Sequence, residues 1–121
     1  MVLADTSIWV SHLRDKNPPH RSLLMKGLVV CHPSIIGDLA CGNLKNRDEI
    51  LSLLGALPAA TPATHDEVLH FIDTNQLMGI DLNYTDVHLL ASALLSAALI
   101  WTKDKNLQEA AVQLKIAYHP K

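Results

Sequence analysis

Short apolar runs alternate along the chain with longer stretches of helical periodicity, a pattern that predicts an α/β domain on a mainly parallel sheet. Met1 to Ala4 is the first buried strand and ends at Asp5. Thr6 to Leu13 turns helical, and Pro18-Pro19 opens a second helix that Gly27 stops after about Lys26. Leu28 to His32 gives the second strand. Pro33 suits the first turn of the next helix, where its missing N–H would be unpaired anyway. That helix carries Ile35, Ile36, Leu39 and Ala40 and ends near Gly42. Arg47 to Leu54 forms another, closed by Gly55 and Pro58, and Ala59 to Ala63 is a short strand or an extended link. Thr64 and Glu67 frame a capping box for a helix reaching about Leu77. Asn83 begins the most apolar helix, running to Ala98 and central to the fold. Ala98 to Thr102 is the third clear strand, Asp104 caps a helix through Leu114, and Ile116 to Tyr118 is a last short strand. With no repeat, low-complexity segment or linker, residues 1–121 read as a single domain.

Composition narrows this picture. Apolar residues make up 49% of the chain and aromatics 4%, so the core is aliphatic, with Trp9 and Trp101 as anchors. The formal charge of −2 does not advertise a nucleic-acid partner. If four aspartates gather at one site, however, the remainder carries −2 + 4 = +2, and a polyanionic substrate stays admissible. Cys31 and Cys41 have neither metal-finger spacing nor disulfide density; both read as buried free thiols, which fits a reducing cytoplasm. The start of the chain lacks a basic region ahead of an apolar stretch, and the apolar run Leu89 to Trp101 falls short of the ~20 residues that span a bilayer. The expectation is a cytoplasmic protein without a membrane partner.

Asp outnumbers Glu nine to three, unusual for a helix-rich chain because Asp is the weaker helix former. Asp5 ends the first strand, Asp104 lies just past the third, Asp38 follows the second by about one and a half helical turns, and Asp86 sits in the first turn of the central helix. Ligands of open parallel sheets gather beyond the carboxyl ends of the strands, and all four aspartates can converge there. Taken alone, Asp86 and Asp104 are also ordinary helix-terminal residues. Asp5 is harder to dismiss, because a carboxylate directly after a buried strand must be paired or bound. Clustered carboxylates repel one another, and a hard divalent cation relieves that repulsion; oxygen-only ligands suit Mg²⁺ or Mn²⁺. Such an ion activates water and offsets charge on a phosphodiester.

At these residues the chain resembles a PIN domain, more specifically a VapC-type toxin of a bacterial type II toxin–antitoxin pair. The resemblance runs nearly end to end. Its motifs are Val-Leu-Ala-Asp5-Thr6-Ser7-Ile-Trp9, His-Pro-Ser-Ile-Ile-Gly-Asp38-Leu-Ala-Cys-Gly42, Tyr84-Thr-Asp86-Val-His-Leu-Leu-Ala-Ser-Ala, and Leu-Ile-Trp-Thr102-Lys-Asp104-Lys-Asn-Leu. It implies a three-layer α/β/α PIN-like fold and an endoribonuclease that uses Mg²⁺ or Mn²⁺ and leaves a 5′-phosphate and a 3′-hydroxyl. Asp5, Asp38, Asp86 and Asp104 are then the catalytic acids, with Asp5, Asp86 and Asp104 on the metal. Thr6, Ser7 and Thr102 shape the site by hydrogen bonds. Asp38 departs from the family pattern, which usually has Glu there, and is shorter by one methylene. The resemblance also implies an RNA substrate, a cognate antitoxin, and a homodimer or a toxin–antitoxin hetero-oligomer.

Arg14, Lys45, Arg47, Lys103 and Lys105 are candidates to line an RNA path around the acidic rim; a solvated face is the favoured reading for all but Lys103 and Lys105, which flank Asp104. Ile50, Leu51, Leu53 and Leu54 serve core packing or an apolar interface. Of the seven histidines, His12, His20, His65, His70 and His119 read as surface residues, and His32 and His88 lie near the site, with His88 structural. Two other classes stay open. One is a phosphatase with Asp5 as covalent nucleophile, which usually wants a second acid where Ser7 stands. The other is a non-catalytic PIN-like domain kept for binding or dimerisation.

Overall fold

A computed structural model describes residues 1–15 and 18–120. In chain order the elements are β1 (Val2–Ala4), α1 (Thr6–Asp15), α2 (Pro18–Met25), β2 (Val29–Val30), α3 (Pro33–Ala40) and α4 (Arg47–Ala56), then α5 (His65–Asn75), α6 (Tyr84–Leu95), β3 (Leu99–Trp101) and α7 (Lys105–Gln113). The sheet has the order β2-β1-β3 with both pairings parallel. Val2 pairs with Val29 on one side and Leu99 on the other, and Ala4 pairs with Trp101. All three residues of β1 are buried, so its alternate side chains are covered on both faces of the sheet. That is the three-layer α/β/α arrangement expected of a PIN-like fold.

The two weakest strand expectations become single bridges. Ala59 pairs with Cys31 beyond β2, and Ala117 pairs with Ile100 beyond β3. Each bridge borders one outer strand, and the second is held by Ile100 N–H to the Ile116 carbonyl and Tyr118 N–H to the Ile100 carbonyl, both 2.7 Å. They give the short sheet partners at both margins.

Helix α6 ends at Leu95 rather than Ala98, and the reason is a turn the sequence does not advertise. Ala97 adopts a left-handed φ of 52°, and the Ala98 N–H reaches back to the Ala93 carbonyl at 2.9 Å. The same closure follows α2, where Gly27 takes the left-handed position and Leu28 N–H bonds the Leu23 carbonyl. It follows α7 as well, with Lys115 left-handed and Ile116 N–H on the Ala111 carbonyl. In each case this Schellman closure turns a helix directly into a strand or bridge. Only the closure after α2 carries the glycine that makes the motif legible.

Buried aliphatic side chains form one cluster, with Leu3, Ile8, Ile35, Leu90, Ile100 and Leu107 fully enclosed. Burial of each contributes about 1.5–3 kcal/mol. From α4 only Leu54 is buried; Ile50 and Leu51 pack partly against the core, and Leu53 is exposed. Trp9 and Trp101 are core anchors, as expected. Two expectations fail. His20 is fully buried rather than at the surface, its ring edge-on to Trp9 at 4.3 Å and His12 at 4.9 Å. It shares the inward face of α2 with Leu23, three residues on, and both tryptophans, Trp9 and Trp101, meet its ring edge-on. Cys41 is exposed rather than buried, because α3 closes at Ala40 and the chain turns outward there. Among the described residues no helix is long and apolar enough to cross a membrane.

Candidate active site

Asp5 emerges from the carboxyl end of β1 with its backbone N–H on the Trp101 carbonyl at 3.0 Å, so it stands where β1 and β3 finish together. Its carboxylate is buried and fully engaged. One oxygen accepts from the Ser7 hydroxyl and from the Ile8 N–H at 3.2 Å, which makes Asp5 the N-cap of α1. The other accepts from the Thr102 hydroxyl. Thr102 Oγ1 in turn accepts from the Asp104 N–H at 2.9 Å, and Ser7 Oγ accepts from the Lys103 N–H at 3.0 Å. Two loops, one after each strand, are thus clipped together around a single carboxylate. Burial of that charge is tolerable because every donor it needs is at hand.

Asp86 and Asp104 arrive by a similar route. Asp104 is the N-cap of α7, its Oδ1 accepting from the Leu107 N–H at 2.9 Å. Asp86 is the third residue of α6 and completes a capping box with Asn83, in which each side chain accepts from the other's backbone N–H. Capping and membership of the acidic rim are therefore compatible. Burial pushes the Asp86 carboxyl above its usual range, the hydrogen bond from the Asn83 backbone opposes this, and the charges of Asp104, Asp5 and Asp38 push it further up. Asp86 therefore feels all three of the other aspartates. Asp38, toward the end of α3, is exposed and accepts from the Thr6 hydroxyl at 3.1 Å. Thr6, Ser7 and Thr102 each bond one of the four aspartates.

Among the described residues no three His, Cys, Asp or Glu side chains stand close enough to enclose an ion. The four aspartates form an open, mutually repelling rim and not a closed cage. An open oxygen-lined rim fits a hydrated hard cation, which keeps several waters and takes only one or two carboxylates directly. It does not fit an ion that demands a preformed shell of protein ligands.

The two cations assigned to substrate differ. Lys103 is tied back to α1, its ammonium donating to the Ser11 hydroxyl at 2.9 Å, whereas Lys105 is exposed at the start of α7. His32, at the end of β2, is buried and caps α3: its Nδ1 accepts from the Ser34 N–H at 3.0 Å. Burial, then the nearby His88, holds the His32 ring below the usual imidazole range. This cap is one that sequence reasoning missed, since His is not a usual N-cap residue. Beside the rim lies a groove of about 760 Å³ that starts at Thr6 and Asp38 and includes Arg14 and Lys45. Those two cations had read as solvated. For Arg14 the signal is the spacing of Thr6, Val10, Leu13 and Arg14, which puts all four on one face of α1; Lys45 comes from the segment between α3 and α4. A smaller hollow of about 570 Å³ between α5 and α6 is apart from the aspartates.

The parallel sheet with an acidic rim beyond its strand ends defines the architecture as PIN-like. No family model matches the chain. Ribonuclease VapC32 of Mycobacterium tuberculosis strain CDC 1551 / Oshkosh is 41% identical over 118 residues, covering 97% of this chain and 95% of that protein. Ribonuclease VapC32 of strain ATCC 25618 / H37Rv matches to the same extent. The chain belongs to the VapC family of PIN-domain ribonucleases.

Proposed function

We propose that the protein is a Mg²⁺- or Mn²⁺-dependent endoribonuclease and the toxin of a VapBC-type toxin–antitoxin pair, acting in the cytoplasm. The observation that carries the reading is the placement of the rim: Asp5, Asp86 and Asp104 mark three helix amino ends, burial and then the charges of the other aspartates hold the Asp86 carboxyl up, and a divalent cation is the partner such a set lacks. Asp5, Asp86 and Asp104 would hold the ion, one or two of them directly and the rest through its waters, with Asp38 tied to the rim through Thr6. When bound, the ion supplies Lewis acidity that lowers the pKa of a water and offsets charge on the phosphodiester. The chain's own residues do the positioning. Ser7 and Thr102 fix both oxygens of Asp5, and the Asp104 N–H locks Thr102. The amino ends of α1, α6 and α7, marked by Asp5, Asp86 and Asp104, bring partial positive charge to the rim and offset part of the repulsion among its carboxylates. In the reaction a water oxygen bonds to phosphorus, the P–O3′ bond breaks, and the 3′ oxygen takes up a proton.

A VapB-type antitoxin is the protein partner this reading supplies, and the 41% identity to Ribonuclease VapC32 supports it. The single buried cluster supports residues 1–121 as one domain. Antitoxin-free protein should cleave single-stranded RNA with Mn²⁺ or Mg²⁺, stop on chelation, and lose the activity in Asp5→Asn. Cleavage that survives both treatments would refute the assignment.

A second reading, a binding-only PIN-like domain, draws on the exposed, short Asp38 and the absence of an enclosing ligand set among the described residues. Calorimetric titration with Mn²⁺ separates the two. Heat of binding that disappears in Asp86→Asn supports the enzyme; no binding supports the alternative.

A further inference from the structure

The groove beside the acidic rim holds side chains that the reaction chemistry does not use. Helix α1 forms one wall, and its face runs from Thr6 at the rim to Arg14, eight residues and roughly 12 Å further along the axis. The opposite wall is α3 and the segment after it, which contribute Asp38, Asn43, Lys45 and Asn46. Thr6 and Asp38 are hydrogen-bonded to each other at the rim, so groove and rim are continuous. Among the described residues the ionisable ones on the groove beyond Asp38 are Arg14 and Lys45, and neither makes an ion pair or side-chain hydrogen bond there. The Asn46 side chain makes no cap bond although its residue opens α4, and the Asn43 amide is equally unspent. Val10, Leu13, Leu39, Leu44 and Ile50 make the greater part of the lining aliphatic.

We propose that this groove seats the stretch of single-stranded RNA next to the bond being cut. Arg14 and Lys45 hold its phosphates, and the Asn43 and Asn46 amides meet base edges over the aliphatic floor. The inference rests on the ribonuclease reading and extends it to substrate selection. Two unpaired cations answer a phosphate backbone, free amides offer both donor and acceptor to an unstacked base, and the aliphatic lining accepts its flat face. The acidic rim repels phosphate, so cations further along the groove are needed to retain the strand. Lys103, tied to Ser11, is less available for that task than the sequence alone indicates.

The test uses the full chain. Binding of a fluorescein-labelled single-stranded oligoribonucleotide of mixed sequence is followed by anisotropy in the Asp5→Asn background, which leaves the RNA intact. Arg14→Ala and Lys45→Ala should each weaken binding about three- to tenfold and lower the slope of log K against log salt by about 0.7. Arg21→Ala, which removes an exposed cation from α2 outside the groove, is the control for charge loss. Arg14→Lys should keep the slope. With Asp5 intact, Asn43→Ala should alter the preference among cut sites. If Arg14→Ala and Lys45→Ala match Arg21→Ala while the unaltered chain cleaves RNA, the groove assignment fails and the ribonuclease reading stands. If the two variants retain RNA but release a co-expressed antitoxin, the groove belongs to a protein segment and the proposal is overturned. A chain that neither binds nor cuts RNA would overturn both.

Discussion

Thr102→Val tests the clip that joins the two loops at the rim. The substitution keeps the branched shape and removes one hydroxyl, which donates to Asp5 and accepts from the Asp104 N–H. Residue 102 is only 8% exposed, so water does not replace it freely. A hydrogen bond to a charged group is worth about 1.5–3 kcal/mol, and the stranded Asp104 N–H adds about 1 kcal/mol. The extra buried methyl returns about 0.8 kcal/mol. The expected net loss is therefore about 2–3 kcal/mol. Thr102→Ser keeps the hydroxyl and gives up one buried methyl, with a loss of about 1 kcal/mol. Urea unfolding followed by far-UV circular dichroism should rank the original chain first, Thr102→Ser second and Thr102→Val last. RNA cleavage should fall with Asp5 out of place, by about 10²-fold in Thr102→Val and far less in Thr102→Ser. A Thr102→Val chain as stable and as active as Thr102→Ser would show that the hydroxyl does not organise the rim.

Three further outcomes follow from single features. Burial, with a contribution from His12, holds the His20 ring down to about 4. Its folded pKa lies below the unfolded 6.5, so the unfolded chain binds the extra proton and stability falls as pH drops from about 6.5 to 4. The loss approaches roughly 3 kcal/mol, and His20→Phe should flatten that part of a stability–pH curve; an unchanged slope would count against the buried placement. Ala97→Gly relieves a left-handed residue at the end of α6 and should raise stability by about 1 kcal/mol in thermal or urea unfolding. An aromatic disulfide reagent should modify the exposed Cys41 quickly in the native state. Cys31 should react only on unfolding, because it is buried and burial raises its thiol; two fast thiols would refute the core placement.

Most of the strand and helix order was legible because burial on both faces of a parallel sheet writes itself as short aliphatic runs such as Val2-Leu3-Ala4. Polar signals were equally readable where the chemistry is local, as with the Thr64–Glu67 capping box, whose two bonds form as expected. Failures came where a residue type hides its role. Ala97 and Lys115 close helices in a conformation that ordinarily announces itself with glycine. His20 is polar by type and buried by tertiary contact, and no local pattern encodes its aromatic neighbours. Arg14 read as solvated until the opposite wall of its groove was in place, and that wall comes from a distant part of the chain.

The aspartates differ in how the fold supports them, and the difference follows from helix direction. Asp5, Asp86 and Asp104 all sit at helix amino ends, where the backbone N–H groups and the dipole favour a carboxylate by about 0.3–1 kcal/mol each. That support offsets part of the repulsion of gathering them. Asp38 has the opposite placement. It lies in the closing turn of α3, where the dipole disfavours negative charge, and among the described residues its carboxylate accepts one hydrogen bond, from the Thr6 hydroxyl. A shorter side chain at this position cannot reach as far and holds its charge closer to a helix end that resists it. The rim is thus three capped carboxylates with one loosely held counterpart. Asp38 is the member most free to move toward an incoming cation and the one whose replacement by Asn should disturb the fold least.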